Sequence, residues 1–319
     1  MAEPIASEMV SKYTVQLLTA LQLPGVGAAA VRKLAKAMRD QDEVIQRPFR
    51  IQTERSAEDL TRYWPAAASK ARKILDACAS RSIFVISILD PQYPRRLRYI
   101  KDAPPILYVR GSVAALNKSG CAVVGTRNAT ETGLKIARRI AFVLAEHDLS
   151  TVSGLALGID AAAHSGAVEK RGVTIAILAH GLDTVAPTSN KKLAEQLLEC
   201  GGALVSEHEP GVPPRPAEFV RRNRIQSGMS LCSIIVESGR EGGSIHQARF
   251  TKEQGRPILA VLPDLENCKS KEFNYEGGKY LVATMGARPL RTAEELEEQI
   301  DMFIKNEPDN SSSKQFSLL

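Results

Sequence analysis

The stretch Cys121–Arg127, CAVVGTR, decides how the chain is read. It is a short apolar run ending in Gly-Thr-Arg. A polar bend follows, Asn128-Ala129-Thr130-Glu131, and then an amphipathic run, Thr132–His147. Strand, tight loop and helix open a βαβ unit. At such a junction the loop amides and the helix N-terminus point outward together. They are unpaired and lie at the positive end of the dipole, which suits a phosphate. Gly125 lets a ligand approach the backbone closely, and Arg127 adds a planar fork of donors. The competing reading is a β–α turn whose Gly serves packing and whose Arg is solvated.

Strands and helices alternate around this stretch. The predicted strands are Ile83–Leu89, Ile106–Val109, Cys121–Val124, Ser150–Val152, Thr174–Leu178, Ala203–Ser206, Leu231–Val236 and Ile258–Leu262. The predicted helices are Thr132–His147, Ile159–Lys170, Asn190–Cys200, Phe219–Ser227, Ser244–Gln254, Gly278–Met285 and Thr292–Lys305. Apolar strands alternating with helices predict an α/β fold with a doubly wound, mostly parallel sheet buried on both faces. Ligands then bind beyond the carboxyl ends of the strands. Residues 82–305 form this domain.

Before it, residues 1–81 read as a small all-helical module, with Trp64-Pro65 as a break. Within the module, Leu23-Pro24-Gly25-Val26-Gly27 sits between two apolar-periodic helices, a helix-hairpin-helix pattern. Amides around Gly25 and Gly27 can hold a backbone phosphate, with Arg32, Lys33 and Lys36 behind them. A module that binds protein or docks on the main domain fits the same pattern. Residues 306–319 have disorder composition. They end in Gln315-Phe316-Ser317-Leu318-Leu319, an apolar tip on a tether.

A length of 319 residues suits two domains, and 44% hydrophobic residues suffice for a core. No apolar run approaches the roughly 20 residues of a membrane span. The first residues lack a basic region followed by an apolar stretch, so no secretory signal is read. Five scattered Cys without a CxxC pair point to reduced thiols, a cytoplasmic setting and no zinc site. The net charge of +6 leans toward a polyanion. Residues 291–319 hold three basic residues against seven acids, so the basic excess lies in the body.

Three further segments carry possible chemistry. In Ser153–His164, Asp160 is read as a helix cap that orients His164, four residues on, or as its acid–base partner. No nucleophile or metal partner stands near them. Arg215–Arg224 holds four arginines around Phe219, with Arg221, Arg222, Asn223 and Arg224 closing the cluster. Arginine supplies phosphate contacts and Phe219 can stack a base, or the run is a solvated helix face with Phe219 in the core. Glu237–Ile245 is a Gly-rich loop between strand and helix. There Ser244 can cap while Gly242 and Gly243 leave amides open to an anion. Two cradles and an arginine cluster on one rim suit a strand with several phosphates better than one small molecule.

Together these residues resemble the DNA-processing protein A (DprA/Smf) family. The matches run in order: DPQYPRRL, DAPPILYVRG, VVGTR, SGLALGIDAAAH, GLDTVAP, Ser206-Glu207, FVRRNRI, IIVES and GGSIHQA, over about Asp90 to Pro289. The resemblance implies an extended Rossmann-like domain after a helix-hairpin-helix (SAM-like) module. It implies single-stranded DNA binding, a homodimer and loading of a RecA-type recombinase; it does not imply catalysis, and no cofactor or metal is expected. Carried over by motif, the DNA-facing residues are Gly125, Thr126, Arg127, Phe219, Arg222, Asn223, Arg224, Gly243 and Ser244. The chain departs from the family pattern at Gly242-Gly243-Ser244 with His246-Gln247-Ala248, at Ala186-Pro187 and at Pro263-Asp264. A relative specialised for phage defence, or for neutralising a partner protein, is therefore an alternative. A second alternative is an enzyme like the nucleotide phosphoribohydrolases. Their PGGxGTxxE loop carries a needed Glu, and Ser244–Ala248 has none. Gln315–Leu319 resembles the peptide by which bacterial proteins dock on the sliding clamp.

Overall fold

The computed structural model describes residues 10–41, 57–263 and 273–305. The tail, with Gln315–Leu319, lies outside the described residues, as does Cys268.

The described residues open with three helices, α1 (Lys12–Leu21), α2 (Ala28–Gln41) and α3 (Ala57–Ala79). Ser11 caps α1, its hydroxyl accepting from the Thr14 amide at 3.1 Å. Both side chains also bond Asp90, which ties this end of α1 to the Asp90–Pro94 joint. The expected break at Trp64-Pro65 is absent: α3 runs through Pro65. An internal proline removes one helix bond. The following turns bury Ala67, Ala71 and Cys78, which offsets that loss. The same core cluster includes Leu17, Leu18 and Val31 from the helices and Val85, Ile106 and Tyr108 from the sheet.

Among the described residues the sheet has nine strands: β1 (Ile83–Ser87), β2 (Ile106–Gly111), β3 (Gly120–Val124), β4 (Ser150–Ser153), β5 (Thr174–Leu178), β6 (Ala203–Ser206), β7 (Ser233–Ile235), β8 (Ile258–Val261) and β9 (Arg288–Leu290). The spatial order is β1-β2-β6-β5-β4-β3-β7-β8-β9. From β3 to β9 every pairing is parallel, and β1 and β2 add an antiparallel edge. β3 and β5 are buried along their whole length, as a sheet covered on both faces requires.

The covering helices are α4 (Arg95–Arg98), α5 (Glu131–Glu146), α6 (Ile159–Glu169), α7 (Lys191–Glu199), α8 (Pro216–Met229), α9 (Gly243–Glu253), α10 (Glu276–Met285) and α11 (Ala293–Lys305). The fold is thus the expected α/β, doubly wound, mostly parallel sheet of Rossmann type. β9 and α4 were not expected; both are too short for a periodic signal. After β3 the chain winds one way through β4, β5 and β6. It then returns to the far side of β3 and winds the other way through β7, β8 and β9. The crevice between β3 and β7 is therefore the switch point where such sheets bind ligands.

Candidate nucleic-acid interface

A cleft of about 490 Å³ opens at that switch point. The loop after β3, the loop after β7 and the first turns of α8 and α9 form its walls. Residues from Gly125 to Arg127, Phe219, Arg222 and Asn223, and residues from Gly242 to Ser244 come together there, although up to 119 positions separate Gly125 from Ser244. Arg221 does not line the cleft.

The loop after β3 is largely satisfied from within. The Thr126 amide donates to the Glu237 carbonyl at 2.8 Å, and the Asn128 amide to Thr126 Oγ1 at 3.2 Å. A Cβ at Gly125 would stand 2.6 Å from Ile159 and 2.7 Å from the Glu237 carbonyl. Gly125 therefore serves close packing, as the competing reading had it. The N-terminus of α5 is capped, Thr130 Oγ1 accepting from Gly133 N at 3.1 Å.

The loop after β7 is the open one. Gly242, at φ +141°, is the N-cap of α9 and lends it no side chain. Ser244 was expected as the cap. It lies within the helix instead, and its hydroxyl bonds that of Ser238 at 2.6 Å. Gly242 and Gly243 are exposed, with empty space where a Cβ would sit. An uncapped first turn offers its amides to an anion.

The arginine cluster divides by helical period. Phe219, Arg222, Asn223 and Gln226 fall on one face of α8 and line the cleft. Phe219 is half-buried outside the core clusters, and the Arg127 guanidinium lies 5.2 Å from its ring centroid. Asn223 Nδ2 donates to the Gly243 carbonyl at 3.0 Å, fixing α9 against α8.

Arg222 was expected at the rim and lies instead at the floor, 5% exposed. Nη1 donates to Gln226 Oε1 at 2.6 Å and Nη2 to the Gly154 carbonyl at 3.4 Å. Burial lowers its pKa to about 10, opposed by Asp160. Burial in turn raises the Asp160 pKa, opposed by Arg222 and by the Gly154 amide at 3.1 Å. Asp160 does not cap α6, because Gly158 holds the N-cap position. Nor does it orient His164, whose Nδ1 meets Thr174 Oγ1 at 2.6 Å. That hydroxyl already donates to the Thr151 carbonyl, so Nδ1 is the donor to it. Burial pushes the His164 pKa down to about 3, which leaves the ring neutral and ends the acid–base reading.

Arg224 is a second correction. It points away from the cleft, where its fork grips Glu207 at 2.6 and 2.7 Å, and Nε meets Asp102 at 2.8 Å. Its side chain is 2% exposed, so it is an internal strut. Arg221, by contrast, is half-exposed beside Glu218. Glu207, His208 and Glu218 lie close enough to consider a metal, but Arg224 already occupies both Glu207 oxygens.

In the helical hairpin Gly25, at φ +77°, and Gly27 are exposed. Arg32 turns inward, donating to the Ala103 carbonyl at 3.4 Å, while Lys33 is exposed. The hairpin does not line the cleft. Two residues that matter were missed. Gln226 could have been found one further turn along the Phe219–Asn223 face. Glu237 carried no separate signal within its loop.

Comparison with known proteins follows the same lines. Residues 84–301 match the family described as DNA recombination-mediator protein A. Protein Smf of Escherichia coli K12 is 39% identical over 222 residues, 69% of this chain and 58% of that protein. The chain thus spans little more than half of that relative. The X-ray structure of DNA processing protein A from Streptococcus pneumoniae superposes with a TM-score of 0.70 at 28% identity, covering 91% of this chain and 99% of that one. DNA processing protein A from Helicobacter pylori, whose structure addresses its single-stranded DNA binding mode, superposes with a TM-score of 0.60 at 25% identity, covering 70% of this chain and 96% of that one. The switch-point cleft thus lies within the matched segment, and the chain belongs to the DNA recombination-mediator protein A family.

Proposed function

We propose that the cleft binds single-stranded DNA and cleaves nothing, and that the protein serves to load a RecA-type recombinase as a homodimer. The observation that carries this reading is the uncapped first turn of α9, which shares one cleft with the exposed Arg127. Open amides and a guanidinium hold phosphates without reading sequence. The half-buried ring of Phe219 suits an unpaired base, which duplex DNA does not present. A base on the ring face that Arg127 covers displaces that guanidinium.

The lining carboxyl groups support a non-catalytic site. They are Asp160, bonded to Gly154 N beneath Arg222, and Glu241, which is exposed. That is no positioned acid and base pair of the kind glycosidic cleavage needs. The homologue from Helicobacter pylori, studied for its single-stranded DNA binding, adds to the reading. Among the described residues no helix is long and apolar enough to cross a membrane.

Fluorescence anisotropy with labelled single- and double-stranded oligonucleotides, each at two salt concentrations, tests the proposal. Tighter, salt-sensitive binding of the single strand is the expected result. Indifference to both at low salt removes the reading.

A further inference from the structure

Glu237 follows β7 and is 1% exposed. A buried carboxylate is costly unless donors surround it. Here the donors come from separate elements. Oε2 accepts from Thr130 N at 2.9 Å and Thr130 Oγ1 at 3.1 Å, and Oε1 accepts from Asn274 N at 3.0 Å. Its backbone carbonyl takes the Thr126 amide at 2.8 Å. Thr130 is the N-cap of α5. The carboxylate therefore occupies the place where a βαβ unit would otherwise receive a phosphate. Gly133 makes room for it, since a Cβ there would lie 2.0 Å from Oε2. Among the described residues no side chain caps the N-terminus of α9.

We infer that Glu237 is a built-in anion that fills the first cradle, so that a DNA phosphate is directed to α9, and that it sets the spacing of the two loops. The directing role rests on the single-stranded DNA reading above. Glu237 does not line the cleft, so it is a positioning residue and not a DNA contact. Its carboxylate joins α5 to Asn274, and its carbonyl holds the Gly125–Arg127 rim at the base of the loop leading to α9.

The test uses the full chain with Glu237→Ala. Thermal melting is followed while inorganic phosphate replaces chloride at constant ionic strength. Binding of a labelled oligothymidylate is measured beside it. The inference expects a lower melting temperature that phosphate raises more in the variant than in the wild type, because the vacated α5 terminus now takes the ion. It also expects oligonucleotide affinity to fall roughly tenfold. A merely structural glutamate gives the lower melting temperature without the extra phosphate response, and that result overturns the inference. If the wild type ignores the oligonucleotide, the DNA reading fails, and the phosphate titration still decides the anion's role. If the alanine variant does not fold, Glu237→Asp replaces it. The shorter carboxylate keeps the charge but cannot span Thr130 and Asn274. Weakened oligonucleotide binding supports the inference there, and wild-type affinity overturns it.

Discussion

Arg224→Ala separates a structural arginine from a DNA contact. The Arg224 and Glu207 side chains are 2% and 9% exposed, and two parallel bonds of 2.6 and 2.7 Å join them. The third arm reaches Asp102, whose side chain is 47% exposed, so solvent screens it and its share is ~0–1 kcal/mol. Removing the guanidinium leaves the Glu207 carboxylate buried and unpaired, a loss of about 3–5 kcal/mol. In a domain of this size each kcal/mol moves the midpoint by ~2–4 °C, so the variant should melt about 6–20 °C lower at pH 7.

The pH dependence sharpens the test. Burial works to raise the Glu207 pKa, but the bonds and charge of Arg224, helped by Arg221 and His208, outweigh it and hold the group below its ordinary range. A depressed folded pKa gives stability that is present above the unfolded value, about 4.3, and lost as pH falls through the folded one. Without Arg224 the burial effect is opposed only by the more weakly acting Arg221 and His208, and protonation relieves it. The gap between wild type and variant should therefore narrow as pH falls through the variant's raised folded value and on toward the wild type's lowered one. Scanning calorimetry at pH 7 and pH 4, with anisotropy on the folded fraction, measures both. A variant that melts like the wild type but has lost the oligonucleotide would refute the reasoning, because Arg224 would then face the strand.

Three other outcomes follow from the site and its core. Arg127→Ala should weaken single-strand binding by about 1–3 kcal/mol and lower the salt slope by about one, read by anisotropy over a salt series; unchanged affinity would remove Arg127 from the interface. Phe219→Ala should cost about 1–3 kcal/mol of binding, alike for different base sequences, while melting stays near that of the wild type; global unfolding would instead assign the ring to packing. His164 is neutral when folded, its pKa pushed down to about 3. The unfolded chain then binds the extra proton, so stability is full above the unfolded value near 6.5 and declines below it by at most ~1.4 kcal/mol per pH unit. Urea titrations at pH 7, 6 and 5 should show this decline, and His164→Asn should flatten it.

Part of this architecture was legible because local and global forces agree. β3 and β5 are wholly apolar or small and lie where a sheet covered on both faces needs such runs. Glycines clustered after strands marked the loops of the binding edge, and order along the chain placed them on one rim. The roles of particular side chains were less legible. Arg222, Asn223 and Arg224 are neighbours in sequence, and 3.6-residue periodicity alone puts Arg222 and Asn223 on the Phe219 face. The partner that turns Arg224 into a strut is Glu207 at the end of β6, and its second contact is Asp102, 122 positions away. No local pattern announces either. Glycine roles were exchanged for a similar reason. Gly125 looked open but packs on Ile159, while Gly242 took the cap position that local preference assigns to Ser244.

The site's dependence on backbone explains why its arginines are not equivalent. At the α9 terminus the donors are main-chain amides, which no side-chain truncation removes. Of the arginines at the cleft, Arg222 is already bonded to Gln226 and Gly154, and Arg127 stands exposed. Charge that can neutralise an incoming phosphate therefore comes from Arg127 and the helix terminus, with Arg221 half-exposed at a distance along α8. Arg222 instead shapes the floor: a Cβ at Gly154 would lie 1.7 Å from its Nη1, so glycine at 154 is the condition for its seat. A motif of three consecutive polar residues thus divides into a floor, a clamp on α9 and a strut on β6. Among the described residues lining the cleft, the α9 amides and Arg127 are left for a phosphate, beside the Phe219 ring proposed for a base.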